Sequence, residues 1–350
     1  MRPGAKGPEV AILRKRLAAE GDLDPAKVGD PPYSEAWDAD ITAAVKRFQR
    51  RMGLRQTGIV AGDTLKELNV PAVVRLRALA SSAARIAPAK FDFTRRYVVV
   101  NLAATEAQAV QDGKVAARYP VIAGAKLHQS PDISVHIGAI ELNPNWTVPV
   151  SIIKKEIIPR MRKDPGYLAR ARIRILDAKG NEIDPRTVDW SNDRAAVYTF
   201  RQDAGTFDAL GRILIRMPNK EAVYMHDTDS HALFARDYRF LSHGCVRVNG
   251  VFDLAAWILA KAPGHWTAAA LEAEMNRGKF ESIPVREFMP VIWVYMTGWA
   301  DPDGTVNFRD DVYSRDTVTD APPLVDPNAV AIAPLPPQGA APPAVAPATH

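Results

Sequence analysis

The amino-acid sequence predicts an α+β protein, a small three-helix module followed by a larger, mainly β domain. Three observations carry this. Apolar residues recur at helical spacing up to about residue 87 and at strand spacing from about residue 97. The later apolar runs are short, numerous and separated by turn residues. At 350 residues, 47% hydrophobic and 24% charged, the chain holds enough apolar material for about two domains.

The elements follow in order. Val10, Leu13 and Leu17 mark one face of a first helix. Asp24-Pro25 and the Gly29–Pro32 stretch break it. A second helix runs from about Asp38 to Met52 on Ile41, Val45 and Phe48, with Gly53 as its stop. A third starts near Asp63 or Thr64, carries Leu65 and Leu68, and closes at Pro71. The module is thus 1–72, and an Ala/Arg/Leu-rich linker helix occupies 73–94. The run Tyr97 to Leu102 reads as a buried strand, and Asp112-Gly113 as a two-residue hairpin turn. Further strands are expected at 118–123, 133–142, 173–176, 197–201, 212–217, 222–226 and within 283–313, with helices near 151–170 and 250–262. The β domain is placed at 95–316. The segment 317–350 is expected to be a disordered tail, since its last thirty residues hold nine Pro and nine Ala and cannot bury enough apolar surface to order themselves.

Composition excludes several classes. The net charge of +5 suits an anionic polymer, but no Lys/Arg block or RNA-binding signature argues for nucleic acid. No run of about 18 apolar residues spans a membrane. His128, His136 and His231 form no metal-ligand pattern and no phosphate-binding loop exists, so neither metal nor cofactor is expected. The single cysteine, Cys245, excludes an intramolecular disulfide. It is either a small buried hydrophobe or a nucleophile.

Its neighbours favour the nucleophile. A thiol needs a base to become a thiolate, and His226 and His243 are both candidates. His243 stands two residues before Cys245. His226 ends a predicted strand, and the two side chains converge if that strand pairs with the one leading to Cys245. Gly244 allows a tight turn and presents backbone N–H groups to an oxyanion. Arg247 has the planar fork that clamps a carboxylate.

The spacing of His226, fifteen residues, then Ser242-His243-Gly244-Cys245-Val246-Arg247 resembles the signature of the YkuD-type L,D-transpeptidases. Residues 141–150 (ELNPNWTVPV), Asp164-Pro165-Gly166-Tyr167-Leu168, the stretch 208–212 and the stretch 298–309 resemble the YcbB-like subgroup of that family. Residues 9–70 resemble a peptidoglycan-binding module through Leu13, Leu17, Ala44 to Gln49, Gly53-Leu54, Thr57-Gly58 and Thr64-Leu65.

The resemblance implies acyl transfer on peptidoglycan stem peptides. Cys245 attacks a tetrapeptide donor, D-Ala leaves, a thioester forms, and a neighbouring stem's amine gives a 3→3 cross-link. By the same resemblance His226 is the general base, the Asp227 carbonyl orients it, and the N–H groups of Gly244 and Cys245 form the oxyanion hole. Tyr224 either lines that hole or packs as a strand aromatic. Arg247, His243, Ser242 and Asn249 serve substrate binding and pocket shape. Trp146 either packs over the donor groove or belongs to the β core. A capping insertion is implied around 151–220. The implied partners are stem peptides and glycan strands, with carbapenems as covalent inhibitors of a monomer. The location is the periplasm, with the targeting segment absent from this chain. Hydrolysis on the same fold and a catalytically idle wall-binding protein are the competing readings.

Overall fold

A computed structural model describes residues 1–205 and 210–319. Asp208 and Ala209 of the 208–212 motif, and all but the start of the expected tail at 317–350, lie outside the described residues.

The module is built from α1 (Pro8–Ala19), α2 (Ala39–Arg51) and α3 (Gly62–Leu68). Val10, Leu13 and Leu17 are buried, as are Ile41, Val45 and Phe48, so the helical spacing selects the inward faces. Asp38 performs two tasks at the start of α2. Its Oδ1 accepts the Ile41 N–H at 2.9 Å, and its Oδ2 accepts from the fully buried Arg14 at 2.6 Å. Arg14 also donates to the Lys27 and Ala36 carbonyls, so both terminal nitrogens of a guanidinium that apolar periodicity alone does not place inside are bonded.

The next helix, α4 (Ala72–Ile86), is not a free linker. Its Ser82 hydroxyl accepts the N–H groups of Thr297 and Gly298 at 3.0 and 3.1 Å, and Arg85 donates to the Tyr295 carbonyl and to Asp316.

The β domain opens with a meander of β1 (Arg96–Asn101), β2 (Glu106–Gln111) and β3 (Lys114–Gly124). Gln111 faces Lys114 across the expected Asp112-Gly113 turn. The expected 133–142 strand is two, β4 (Ile133–His136) and β5 (Ala139–Leu142), which join different parts of the sheet. An inserted unit follows. It comprises β6 (Trp146–Thr147), a helical run of α5 (Val150–Ile152), a π-turn (Ile153–Ile157) and α6 (Ile158–Lys163), then α7 (Tyr167–Arg170), β7 (Ile173–Leu176), β8 (Glu182–Ile183) and β9 (Thr199–Gln202).

The chain then returns to the main body through β10 (Ile213–Arg216), β11 (Met225–His226), β12 (Phe240–Ser242) and β13 (Val246–Val248). Helices α8 (Val251–Ile258) and α9 (Ala268–Met275) precede β14 (Glu281–Pro284), β15 (Pro290–Val294), β16 (Gly298–Ala300) and β17 (Val306–Phe308). Among the described residues the main sheet runs β14-β5-β10-β11-β13-β3-β2-β1-β15-β4, with β12 paired to β3. Leu254 and Ile258 of α8 and Leu271 of α9 pack with Val98, Val100 and Trp293 of the sheet in one core. β15 is buried at all five positions, which explains its unbroken apolar run.

The inserted unit has its own four-stranded sheet, β6-β9-β7-β8, and its own core around Ile153, Ile157, Met161, Ile175 and Phe200. Its extent corrects the expected 151–220. It begins at β6, and β10 belongs to the main sheet, where Ile213 to Ile215 are buried.

The module's core is completed from the far end of the chain. Phe308 of β17 lies in the same apolar cluster as Leu17, Ile41 and Phe48. Arg51 of α2 donates to the Val306 carbonyl at 2.8 Å, and Arg309 returns a bond to the Arg51 carbonyl at 2.8 Å. Phe308→Ala is therefore expected to destabilise the module by about 3–5 kcal/mol through a cavity some 260 residues from its helices in sequence. Urea denaturation followed in the module checks this. A loss under about 1 kcal/mol contradicts a shared core.

Candidate active site

The site arises from one parallel pairing. β11 ends at His226 and lies beside β13, with Met225 opposite Val246 and His226 opposite Arg247. Side chains on paired residues of adjacent strands share a face, and Cys245 stands two residues before Arg247. The expectation that the His226 strand pairs with the one leading to Cys245 is corrected here. The leading strand, β12, pairs with β3, and β11 pairs with the strand that follows the thiol. The outcome is the same convergence. Cys245, His226, Arg247, Ser242 and His243 line one cavity of about 380 Å³, which the inserted unit walls with Trp146, Ser151, Ile152, Lys155 and Glu156.

His226 is buried, and its Nδ1 lies 2.6 Å from the Asp227 carbonyl oxygen. A carbonyl only accepts, so Nδ1 carries the proton and Nε2 keeps its lone pair. Burial, then the Arg247 charge, pushes the His226 pKa down to about 4, against the pull of the backbone carbonyls. The imidazole is neutral at ordinary pH. The Asp227 carboxylate faces elsewhere, accepting the Arg212 N–H at 3.2 Å and lying 3.7 Å from His231.

Cys245 is a free, partly exposed thiol. Burial raises its pKa, opposed by the Tyr224 backbone N–H and by Arg247. A neutral thiol beside a neutral imidazole is a pair poised for proton transfer during attack, not a standing ion pair.

The hydroxyl of Ser242 staples the turn, donating to the Cys245 carbonyl and accepting the Gly244 N–H at 3.2 Å. Gly244 has φ +115°, a conformation that side-chain-bearing residues rarely adopt. This corrects one expectation. The Gly244 N–H is engaged by Ser242, while the Cys245 N–H has no partner among the described residues. Tyr224 is held from outside the cavity lining. Its half-buried ring sits beneath the Arg216 guanidinium at 5.8 Å, and Arg216 is itself held by Glu141. What Tyr224 brings to the thiol is its backbone N–H.

Arg247 is half-buried with Nε unpartnered, and burial lowers its pKa. His243 is tied to the inserted unit. Its Nε2 lies 2.6 Å from Glu156 Oε1 on the π-turn, and its ring centroid lies 4.8 Å from that of His128. Trp146 walls the cavity from β6 and also packs on the inserted unit's core. Asn249 is not brought in. It is exposed past the end of β13, its N–H bound to the Pro120 carbonyl, and it does not line the cavity.

Sequence reasoning missed Lys155, Glu156, Glu221 and Leu210 as cavity residues. Nothing local marks them, because Lys155 and Glu156 come from the insertion, Leu210 and Glu221 come from the connections flanking β10, and only folding brings them together. Among the described residues no cluster of three or more His, Cys, Asp or Glu could hold a metal, and no helix is long and apolar enough to cross a membrane.

Residues 95–267 match the family model described as L,D-transpeptidase catalytic domain (YkuD), and residues 6–68 match one described as "Putative peptidoglycan binding domain". The chain thus carries a region similar to an L,D-transpeptidase catalytic domain behind one similar to a peptidoglycan-binding domain. A Haemophilus influenzae protein named "Putative L,D-transpeptidase" is 35% identical over 220 residues, 63% of this chain and 44% of the relative. The chain therefore spans less than half the length of that curated relative. Among solved structures, an L,D-transpeptidase from Xylanimonas cellulosilytica is 15% identical, covering 84% of this chain and 96% of its own, with a TM-score of 0.27. The catalytic domain of an E. faecium L,D-transpeptidase acylated by ertapenem is 12% identical, covering 58% and 98%, with a TM-score of 0.27.

Proposed function

We propose that this chain is an L,D-transpeptidase of the YcbB-like subgroup that forms 3→3 cross-links in peptidoglycan through a Cys245 thioester. The observation that carries the reading is the shared cavity of Cys245 and His226, with the Nδ1 end of His226 pinned on a carbonyl. Cys245 attacks the carbonyl that precedes the terminal D-Ala of a tetrapeptide stem. His226 takes the thiol proton and passes it to the leaving amine. A second stem's side-chain amine then attacks the thioester and gives its proton to His226, which restores the thiol.

Arg247 holds a substrate carboxylate, a role supported by its buried, unpartnered Nε. Ser242 keeps the thiol turn in shape. His243 shapes the pocket wall through Glu156, and Trp146 covers the donor groove. The inserted unit, β6 through β9, is the cap that motivates the subgroup assignment. The N-terminal module, residues 1–72, binds glycan strands. The enzyme works outside the cytoplasmic membrane, in the periplasm, and carbapenems such as ertapenem acylate Cys245.

Mass spectrometry of muropeptides after incubation with a tetrapeptide stem tests the proposal. The expected product is a dimer whose mass is two tetrapeptides less one D-Ala. Tripeptide monomer alone means that water is the acceptor, and unchanged substrate means a binding protein without catalysis.

A further inference from the structure

We propose that Ser130, outside the His-Gly-Cys motif, is a positioning residue that aims the oxyanion-hole donor. The proposal rests on the thioester reading above. When the thiol attacks, the S–C bond forms and the carbonyl π pair moves onto oxygen, so a donor must point at that oxygen. With the Gly244 N–H engaged by Ser242, the Cys245 N–H is the unpartnered donor of the turn.

That N–H belongs to the peptide unit between Gly244 and Cys245. A trans peptide is planar, with its N–H opposed to its C=O, so whatever holds the Gly244 carbonyl also aims the Cys245 N–H. Ser130 holds it. The Ser130 hydroxyl donates to the Gly244 carbonyl at 2.7 Å and accepts the Gly124 N–H at 2.9 Å. A backbone N–H only donates, so the Ser130 proton has one place to go, the Gly244 oxygen. Ser130 is fully buried.

Its own position is set from behind. The Tyr313 hydroxyl donates to the Gly124 carbonyl at 2.6 Å and accepts the Ser130 N–H at 3.3 Å. The turn from Gly124 to Ser130 is closed so tightly that a Cβ on Gly124 would stand 2.2 Å from the His128 carbonyl oxygen. Gly244, by contrast, leaves its neighbours at ordinary contact distance, with the nearest atom to an added Cβ at 3.7 Å. Ser242 holds the peptide groups on either side of this unit, and among the described residues Ser130 alone bonds the unit itself.

Ser130→Ala in the full chain tests this with two reactions at one sulfur. Acylation by ertapenem develops an oxyanion, whereas alkylation by iodoacetamide displaces iodide at an sp³ carbon and develops none. Ser130→Ala is expected to slow acylation by about 10- to 100-fold, less than outright loss of an oxyanion donor. Alkylation stays within about twofold, and with the tetrapeptide kcat falls at unchanged KM, as for an interaction made only in the transition state. Wild-type acylation by the variant, or a parallel fall in alkylation, overturns the proposal. If the wild-type chain is alkylated but never acylated, the thioester reading fails first and the proposal with it.

Discussion

Cys245→Ala is expected to eliminate covalent modification by ertapenem and all turnover of the tetrapeptide, with the melting temperature nearly unchanged. Cys245 is the chain's one thiol, so intact-mass spectrometry reads the outcome without ambiguity: one drug mass on the wild type, none on the variant. The loss should be complete, because the sulfur is the one thiol of the chain and shares its cavity with the His226 imidazole. Ser242 uses its hydroxyl on the Cys245 carbonyl and the Gly244 N–H, and Ser151 stands on the opposing insertion. The stability change should stay within about 1 kcal/mol, since the thiol is partly exposed and its removal opens little buried volume. Drug mass found on Cys245→Ala would move the nucleophile elsewhere.

The second large effect concerns His226 and pH. Burial and the Arg247 charge disfavour the imidazolium, so the ring titrates at about 4 instead of 6.5. The base is neutral above that value. The kcat/KM for acylation should stay level from about pH 8 down to pH 5 and fall as pH drops through about 4. Asparagine at position 226 removes the base and should cut acylation by about 10²- to 10⁴-fold with the acidic limb gone. Substituting Arg247 by Gln relieves the charge repulsion and should move the limb upward. A limb at 6.5 in the wild type would sink the argument.

The same shift acts on stability. The unfolded chain protonates His226 at 6.5 and the folded chain only at about 4, so between these values the unfolded state binds more protons. Stability is full above pH 6.5 and falls by roughly 3 kcal/mol as pH drops to 4. His226→Asn should flatten that part of the curve in urea denaturation.

Much of this protein is legible in its residues because the signals are local. Helical spacing of Val10, Leu13 and Leu17, or of Ile41, Val45 and Phe48, marks faces that are buried in the structure. The Asp112-Gly113 turn needs only its own two residues to be recognised. Cys245 with its Ser-His-Gly prefix and Arg247 suffix stands in one short string, and the His226 offset from it is a fixed count.

The parts that sequence reasoning missed or misplaced are made by residues far apart in the chain. Phe308 completes the module's core, and Glu156 holds His243, because folding brings β17 under α2 and the π-turn over β12. Asn249 has the right parity for the site, but β13 ends before it. The Gly244 N–H looks available in the string, and only the Ser242 rotamer decides that it is engaged.

The sequence by itself determined the α+β class, the helical faces and the two candidates, Cys245 and His226, for thiol and base. The tertiary structure decided which strand sits beside His226, which backbone N–H remains unpartnered and which insertion closes the cavity. The division has a physical cause. Side-chain periodicity and turn chemistry are properties of a few consecutive residues, whereas burial, charge proximity and the last hydrogen bond depend on which distant segments share the same space.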